Sequence, residues 1–185
     1  MLGKGGKYRV RTIAAAYHEA GHRAASLLLG VGIKPTHIVP HLERNGSYAA
    51  NVVSYFSREP GPQGRERFTQ RDYPSLKLCR RIEKNIKICF AGRLAEHRLL
   101  RSRATACAKS DDLIIVYYLF LLNKHRNQLN LRFQQLHLQV EDLLDFGWTL
   151  VEAIAHRLLT SSYLTNAELK AIYSEQFRYV PSTKV

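Results

Sequence analysis

Apolar residues recur at helical spacing over most of this chain, and the gaps between those runs mark its elements. The alanine-rich stretch "IAAAYHEAGHRAASLLL" predicts a helix that begins after Thr12, which can cap it, and stops at Gly30 and Gly32. In "LKLCRRIEKNIKICFAGRLAEHRLL", Cys79, Ile82, Ile86 and Cys89 or Phe90 repeat at the same period and predict a second helix. A third is expected from Ser110, a cap for Asp111, Asp112 and the apolar run Leu113 to Leu122. Beyond a polar connection near Asn123 to Asn130, Val140, Leu144, Trp148, Val151, Ile154 and Leu158 form one stripe, which predicts a single amphipathic helix through "LQVEDLLDFGWTLVEAIAHRLL". The last helix begins at Thr165: Thr165 and Glu168 have the spacing of a capping box, with Leu164 and Leu169 as its hydrophobic staple.

The period changes in one region. "THIVPHL" and "SYAANVVSYF" are β-prone runs joined by the turn-forming Arg44-Asn45-Gly46-Ser47, so a hairpin is expected, with Pro40 favouring an edge. Residues 57–75 hold three prolines and two glycines with little periodicity and read as a surface loop, a candidate lid beside a substrate site. The expected fold class is mainly α (α+β), a helical domain with a small β-hairpin. Residues 1–122 would form its core and 123–185 a C-terminal helical part of the same domain.

At 185 residues with 45% hydrophobic content, the chain can build a core, which excludes disorder as the default. Cys79, Cys89 and Cys107 form no C-x-x-C pair, so neither a disulfide framework nor a thiolate zinc site is indicated, and a reducing, cytoplasmic compartment is expected. No apolar segment follows the basic start, and the longest apolar run, Leu113 to Leu122, covers ten residues where a spanning helix needs about 20. No signal peptide or membrane anchor is therefore expected. A net charge of +13 is compatible with nucleic acid or an acidic protein as partner, although the basic residues are spread widely, as on a solvated face.

One short stretch changes the picture. In "YHEAGHR", His18 and His22 stand four residues apart, so a helix brings both imidazoles onto one face, close enough to share an ion, with Glu19 beside them. In H-E-x-x-H zinc peptidases the histidines are ligands, and the glutamate is the base for a water whose pKa the ion lowers to about 7. A catalytic zinc site also needs a third protein ligand that leaves one position open. Two residues qualify: Glu96 in "AGRLAEHRL", and Asp112 in "AKSDDLII", where the positive end of a helix dipole would keep a carboxylate ionised. His37, His41, His125, His137 and His156 are read as surface or satisfied core residues, and Tyr117, Tyr118, Phe120 and Trp148 are expected in the core.

Taken in order, three segments resemble the zinc-peptidase domain of the membrane-anchored AAA proteases, the FtsH type. "TIAAAYHEAGHRAASLLLG" is similar to that family's HEAGH helix, "IEKNIKICFAGRLAEHRL" to its segment around G-G-R-x-A-E-E, and "CAKSDDLIIVYYL" to its G-A-S-N-D-[IL] segment. The resemblance covers roughly residues 12 to 122. It implies a zincin-like metallopeptidase fold, Zn2+ as cofactor, His18, His22 and Asp112 as ligands, Glu19 as catalytic base and Glu96 in support. Arg23 stands where the family has a small residue, Ala91 replaces a glycine, His97 a glutamate and Asp111 the asparagine.

No phosphate loop G-x-x-x-x-G-K-[ST] occurs in the sequence. The expectation is a zinc endopeptidase that cuts unfolded or flexible polypeptides without ATP, with a separate ATPase or adaptor as a possible partner. The alternative is a non-catalytic basic module that keeps the fold and binds nucleic acid or an acidic protein. Glu19 favours the enzyme, because a structural zinc site needs no base between its histidines.

Overall fold

The computed structural model describes residues 4–32, 36–37, 40–42, 48–50, 76–101, 108–122, 126–161 and 163–178. Among them the chain is mostly helical: α1 (Lys4–Leu28), α2 (Leu76–Leu100), α3 (Ala108–Leu122), α4 (Arg126–Phe146), α5 (Trp148–Ser161) and α6 (Asn166–Gln176). Two short antiparallel strand pairs accompany the helices. β2 (Pro40–Leu42) pairs with β3 (Tyr48–Ala50), Pro40 opposite Ala50, as the expected hairpin requires. β1 (Thr36–His37) pairs instead with β4 (Tyr163–Leu164), a long-range contact with no signal in the local sequence. The hairpin turn, residues 51–75 with their expected loop, and the strand near Val52 to Tyr55 lie outside the described residues.

Helix α1 packs on both α2 and α5, and α2 also meets α3 and α4. The α1–α2 contact is close because small residues line it. Ala16, Ala20 and Ala24 are fully buried, and a Cβ added to Gly21 would stand 2.8 Å from the Cβ of Ala95 on α2. Interaxial distance follows the size of the side chains at the crossing, so an Ala/Gly face brings the two backbones together. Around this seam Ile86, Phe90, Ile115, Leu136, Val140, Leu150, Ile154 and Leu158 close the core.

Several boundaries differ from expectation. Helix α1 begins at Lys4, so Thr12 lies inside it, and α3 begins at Ala108, so Ser110 is interior rather than a cap. Gly30 does end α1: it sits at φ 63°, its N–H donates to Leu27 O at 3.1 Å and the Val31 N–H to Ser26 O at 2.8 Å, the paired bonds of a Schellman motif. The single helix expected across 138–159 is divided at Gly147 into α4 and α5. The Leu28 side chain of α1 packs there, its Cδ1 2.6 Å from where a Cβ would stand. Helix α6 follows the sequence closely, since both bonds of the Thr165/Glu168 capping box are present and Leu164 and Leu169 are fully buried.

One of the aromatic residues expected in the core leaves it, while Tyr117 and Trp148 pack half-buried against it. Tyr118 is buried, but Phe120 is 52% exposed on the outer face of α3. Trp148 is half-buried: it donates Nε1–H to Glu152 at 2.9 Å and carries the Arg98 guanidinium 4.3 Å above its ring.

Candidate metal centre

His18 and His22 project from the middle of α1 into the seam with α2 and α3, and both are buried. Their Nε2 atoms lie 3.1 Å apart. The His22 ring lies against Gly92 of α2, where an added Cβ would fall 2.5 Å from Nε2 and 2.7 Å from Nδ1. A glycine at this point of the "AGR" segment therefore makes room for an imidazole. His22 Nδ1 is 2.7 Å from the Ile88 carbonyl oxygen, which can only accept, so Nδ1 carries a proton and Nε2 is turned inward. For His18, the Glu96 carboxylate lies behind the ring, Oε2 being 3.2 Å from Nδ1.

The carboxylate facing the two Nε2 atoms belongs to Asp111. Its Oδ2 is 3.1 Å from His18 Nε2 and 3.2 Å from His22 Nε2. Asp112, the ligand that the resemblance implies, is not at this point. Successive residues on a helix are rotated by about 100°, so with Asp111 turned toward α1 its neighbour turns aside. Asp112 instead accepts from Arg93 Nη1 at 2.5 Å, in a pair that is 38% and 45% exposed. The aspartate that faces the histidines is thus one position earlier within "SDD" than the one the resemblance implies.

Three atoms able to ligate a metal thus converge from two helices at nearly equal separations. A tetrahedral zinc with ligand bonds of about 2.0–2.1 Å sets its ligand atoms about 3.3 Å apart, close to the triangle seen here. Asp111 Oδ2 is sealed from solvent and shared between the two rings. Buried imidazoles and a carboxylate facing one another in a dry seam need a positive charge among them, which either a proton on His18 or a metal ion supplies. The donor set of two imidazoles and one carboxylate suits zinc, and Glu96 and the Ile88 carbonyl stand where outer partners orient such rings.

The charges respond accordingly. Burial by itself would lower the pKa of His18, but the carboxylates of Asp111 and Glu96 against its nitrogens override this and raise it to about 10. Burial pushes Asp111 up, whereas the charge and contacts of His22 and His18 hold its carboxyl below the usual carboxylate range. Glu19 is fully buried, within 4.8 Å of ligand atoms on both histidines, and neither of its oxygens has a hydrogen-bond partner. Burial raises its pKa, an effect that the charges of His22, His18 and Arg23 only partly offset. Arg23, buried one turn further along α1, carries no sequence signal of a role beyond its departure from the family pattern.

No protein-family model matches the chain, and no curated protein matches it. The resemblance to the FtsH-type peptidase domain therefore rests on the three ordered motifs. Among the described residues no helix is long and apolar enough to cross a membrane.

Proposed function

We propose that this chain is a zinc-dependent endopeptidase of zincin-like, FtsH-type character, with His18, His22 and Asp111 as the protein ligands and Glu19 as the catalytic base. The observation that carries the reading is the convergence of His18 Nε2, His22 Nε2 and Asp111 Oδ2 within 3.1–3.2 Å of one another, with Glu19 beside them. A zinc ion held there supplies polarisation of a peptide carbonyl and acidity for a water.

The chain's own residues do the rest. Glu19, unpartnered and with a pKa pushed up by burial, is suited to accept a proton on a carboxylate oxygen and pass it to the leaving amine. Glu96 behind His18 and the Ile88 carbonyl behind His22 fix the rings so that both Nε2 atoms face Asp111. The substrate is an extended, flexible polypeptide, because a backbone must reach a site set between helices. Folded proteins would need a separate ATPase or adaptor to deliver them. A buried, unpaired carboxylate between the histidines has no use in a basic binding module, which is why the enzyme reading is preferred to the binding module.

Glu19→Gln tests the proposal. It keeps shape and removes the base, so zinc content by mass spectrometry should match wild type while hydrolysis of an unfolded substrate such as casein falls at least about 10²-fold. Undiminished hydrolysis in that variant would remove Glu19 from the mechanism.

A further inference from the structure

The helix that bears the two histidines also buries a cation. Arg23 is only 7% exposed, its Nε is sealed from solvent without a hydrogen-bond partner, and the charge acting on it is that of Glu19. Residues four apart share a helix face, and side chains on a helix lean toward its N-terminus, so the Arg23 guanidinium is carried toward the Glu19 turn. The two groups do not satisfy each other, since both Glu19 oxygens also lack a hydrogen-bond partner. Its Nε is thus a buried donor that no group of the described residues satisfies. A desolvated guanidinium without a partner is costly, and its planar fork matches a carboxylate.

We propose that Arg23 is a specificity-determining residue that binds a carboxylate of the peptide close to the scissile bond, so that the site selects substrates with an acidic group near the cut. This rests on the peptidase reading above. Two sources present the same chemistry: an Asp or Glu side chain within the peptide, or a free C-terminus. The net charge of +13 acts in the same direction at long range by drawing acidic polypeptides to the surface.

The experiment uses four unstructured fluorogenic peptides with Glu or Gln beside the cleaved bond, each with a free or an amidated C-terminus. They are given to the zinc-loaded wild type and to Arg23→Gln and Arg23→Lys, with zinc content and circular dichroism recorded for each. A charge-assisted hydrogen bond at the site should make wild-type kcat/KM roughly 10- to 100-fold higher for the preferred carboxylate peptide. The Glu/Gln ratio responds if the source is a side chain and the free/amidated ratio if it is the terminus. Arg23→Gln should bring that ratio near one, and Arg23→Lys should restore part of it. Wild type cleaving all four peptides within about twofold of one another, or Arg23→Gln keeping the ratio, overturns the proposal while leaving the peptidase intact. Should Arg23→Gln fail to fold, the wild-type comparison decides alone. Binding of the same peptides to zinc-loaded Glu19→Gln, followed by fluorescence anisotropy, separates the two ideas if nothing is cleaved. Preference for a carboxylate peptide, lost when Arg23→Gln is added, would keep the carboxylate site and sink the peptidase, whereas equal binding would sink the carboxylate site.

Discussion

Asp111 and Asp112 differ by one step of a helix, yet only Asp111 reaches the imidazoles, 3.1 and 3.2 Å from their Nε2 atoms. Asp111→Ala should abolish or strongly weaken zinc retention. Asp112→Ala should leave it near wild type, because it breaks an exposed pair with Arg93 worth about 0–1 kcal/mol. Zinc per chain after gel filtration, measured for both variants, checks this, and loss in Asp112→Ala alone would return the ligand to Asp112. The same cluster predicts a pH dependence. The pKa of His18 is raised from its ordinary 6.5 to about 10, so its protonation stabilises the zinc-free fold fully below pH 6.5, and that contribution is lost as pH climbs through 10. Zinc must displace that proton, so apparent zinc affinity should rise about tenfold per pH unit between pH 7 and 9. Competition with a chelating indicator across that range reads the slope, and a flat profile would contradict a protonated His18 in the zinc-free state.

Glycines set the helix seam that holds these residues at their distances. A methyl at Gly92 would overlap the His22 ring, so Gly92→Ala should displace the imidazole and weaken zinc binding, with overpacking costing about 1–3 kcal/mol. A substitution of the same size at Gly30 meets nothing within 4 Å, so any cost there comes from its φ of 63° rather than from crowding, and zinc should stay bound. Comparing zinc content and melting temperature of the two variants distinguishes crowding at the site from general loss of stability. At the other end of the molecule, Thr165→Ala removes the capping box of α6 and should cost about 1 kcal/mol. Denaturant melts should show that loss with zinc content unchanged, since α6 carries none of the residues at the centre.

For the whole molecule, the centre ties α1 to α3 with α2 behind them, so the proposed zinc binding would be linked to folding. Zinc bound only by the folded chain adds about 2.7 kcal/mol at a hundredfold excess over its dissociation constant. Chelation should accordingly lower the melting temperature of wild type, and by much less that of Asp111→Ala. If the peptidase reading holds, flexible chains should be cut without ATP and the folded form of the same substrate spared. ATP-dependent digestion of the folded form by this chain alone would refute it.

Periodicity and capping chemistry are local properties, and they were enough to determine the helical class, the full extent of α2, the Schellman end of α1 and the Thr165 box. H-E-x-x-H spacing likewise determined that His18 and His22 share a face, because four residues make about one helical turn. What the tertiary structure decided was everything that depends on how two elements meet. Only the rotation of α3 against α1 selects Asp111 over Asp112, two identical side chains that no composition or spacing can tell apart. Packing alone decided that the end of α1 meets 138–159 at Gly147, that β1 finds β4 far along the chain, and that Phe120 faces outward from the apolar run of α3. Arg23 belongs to the same class: its charge is written in the sequence, but its burial beside an unpartnered Glu19 is a property of the packed seam.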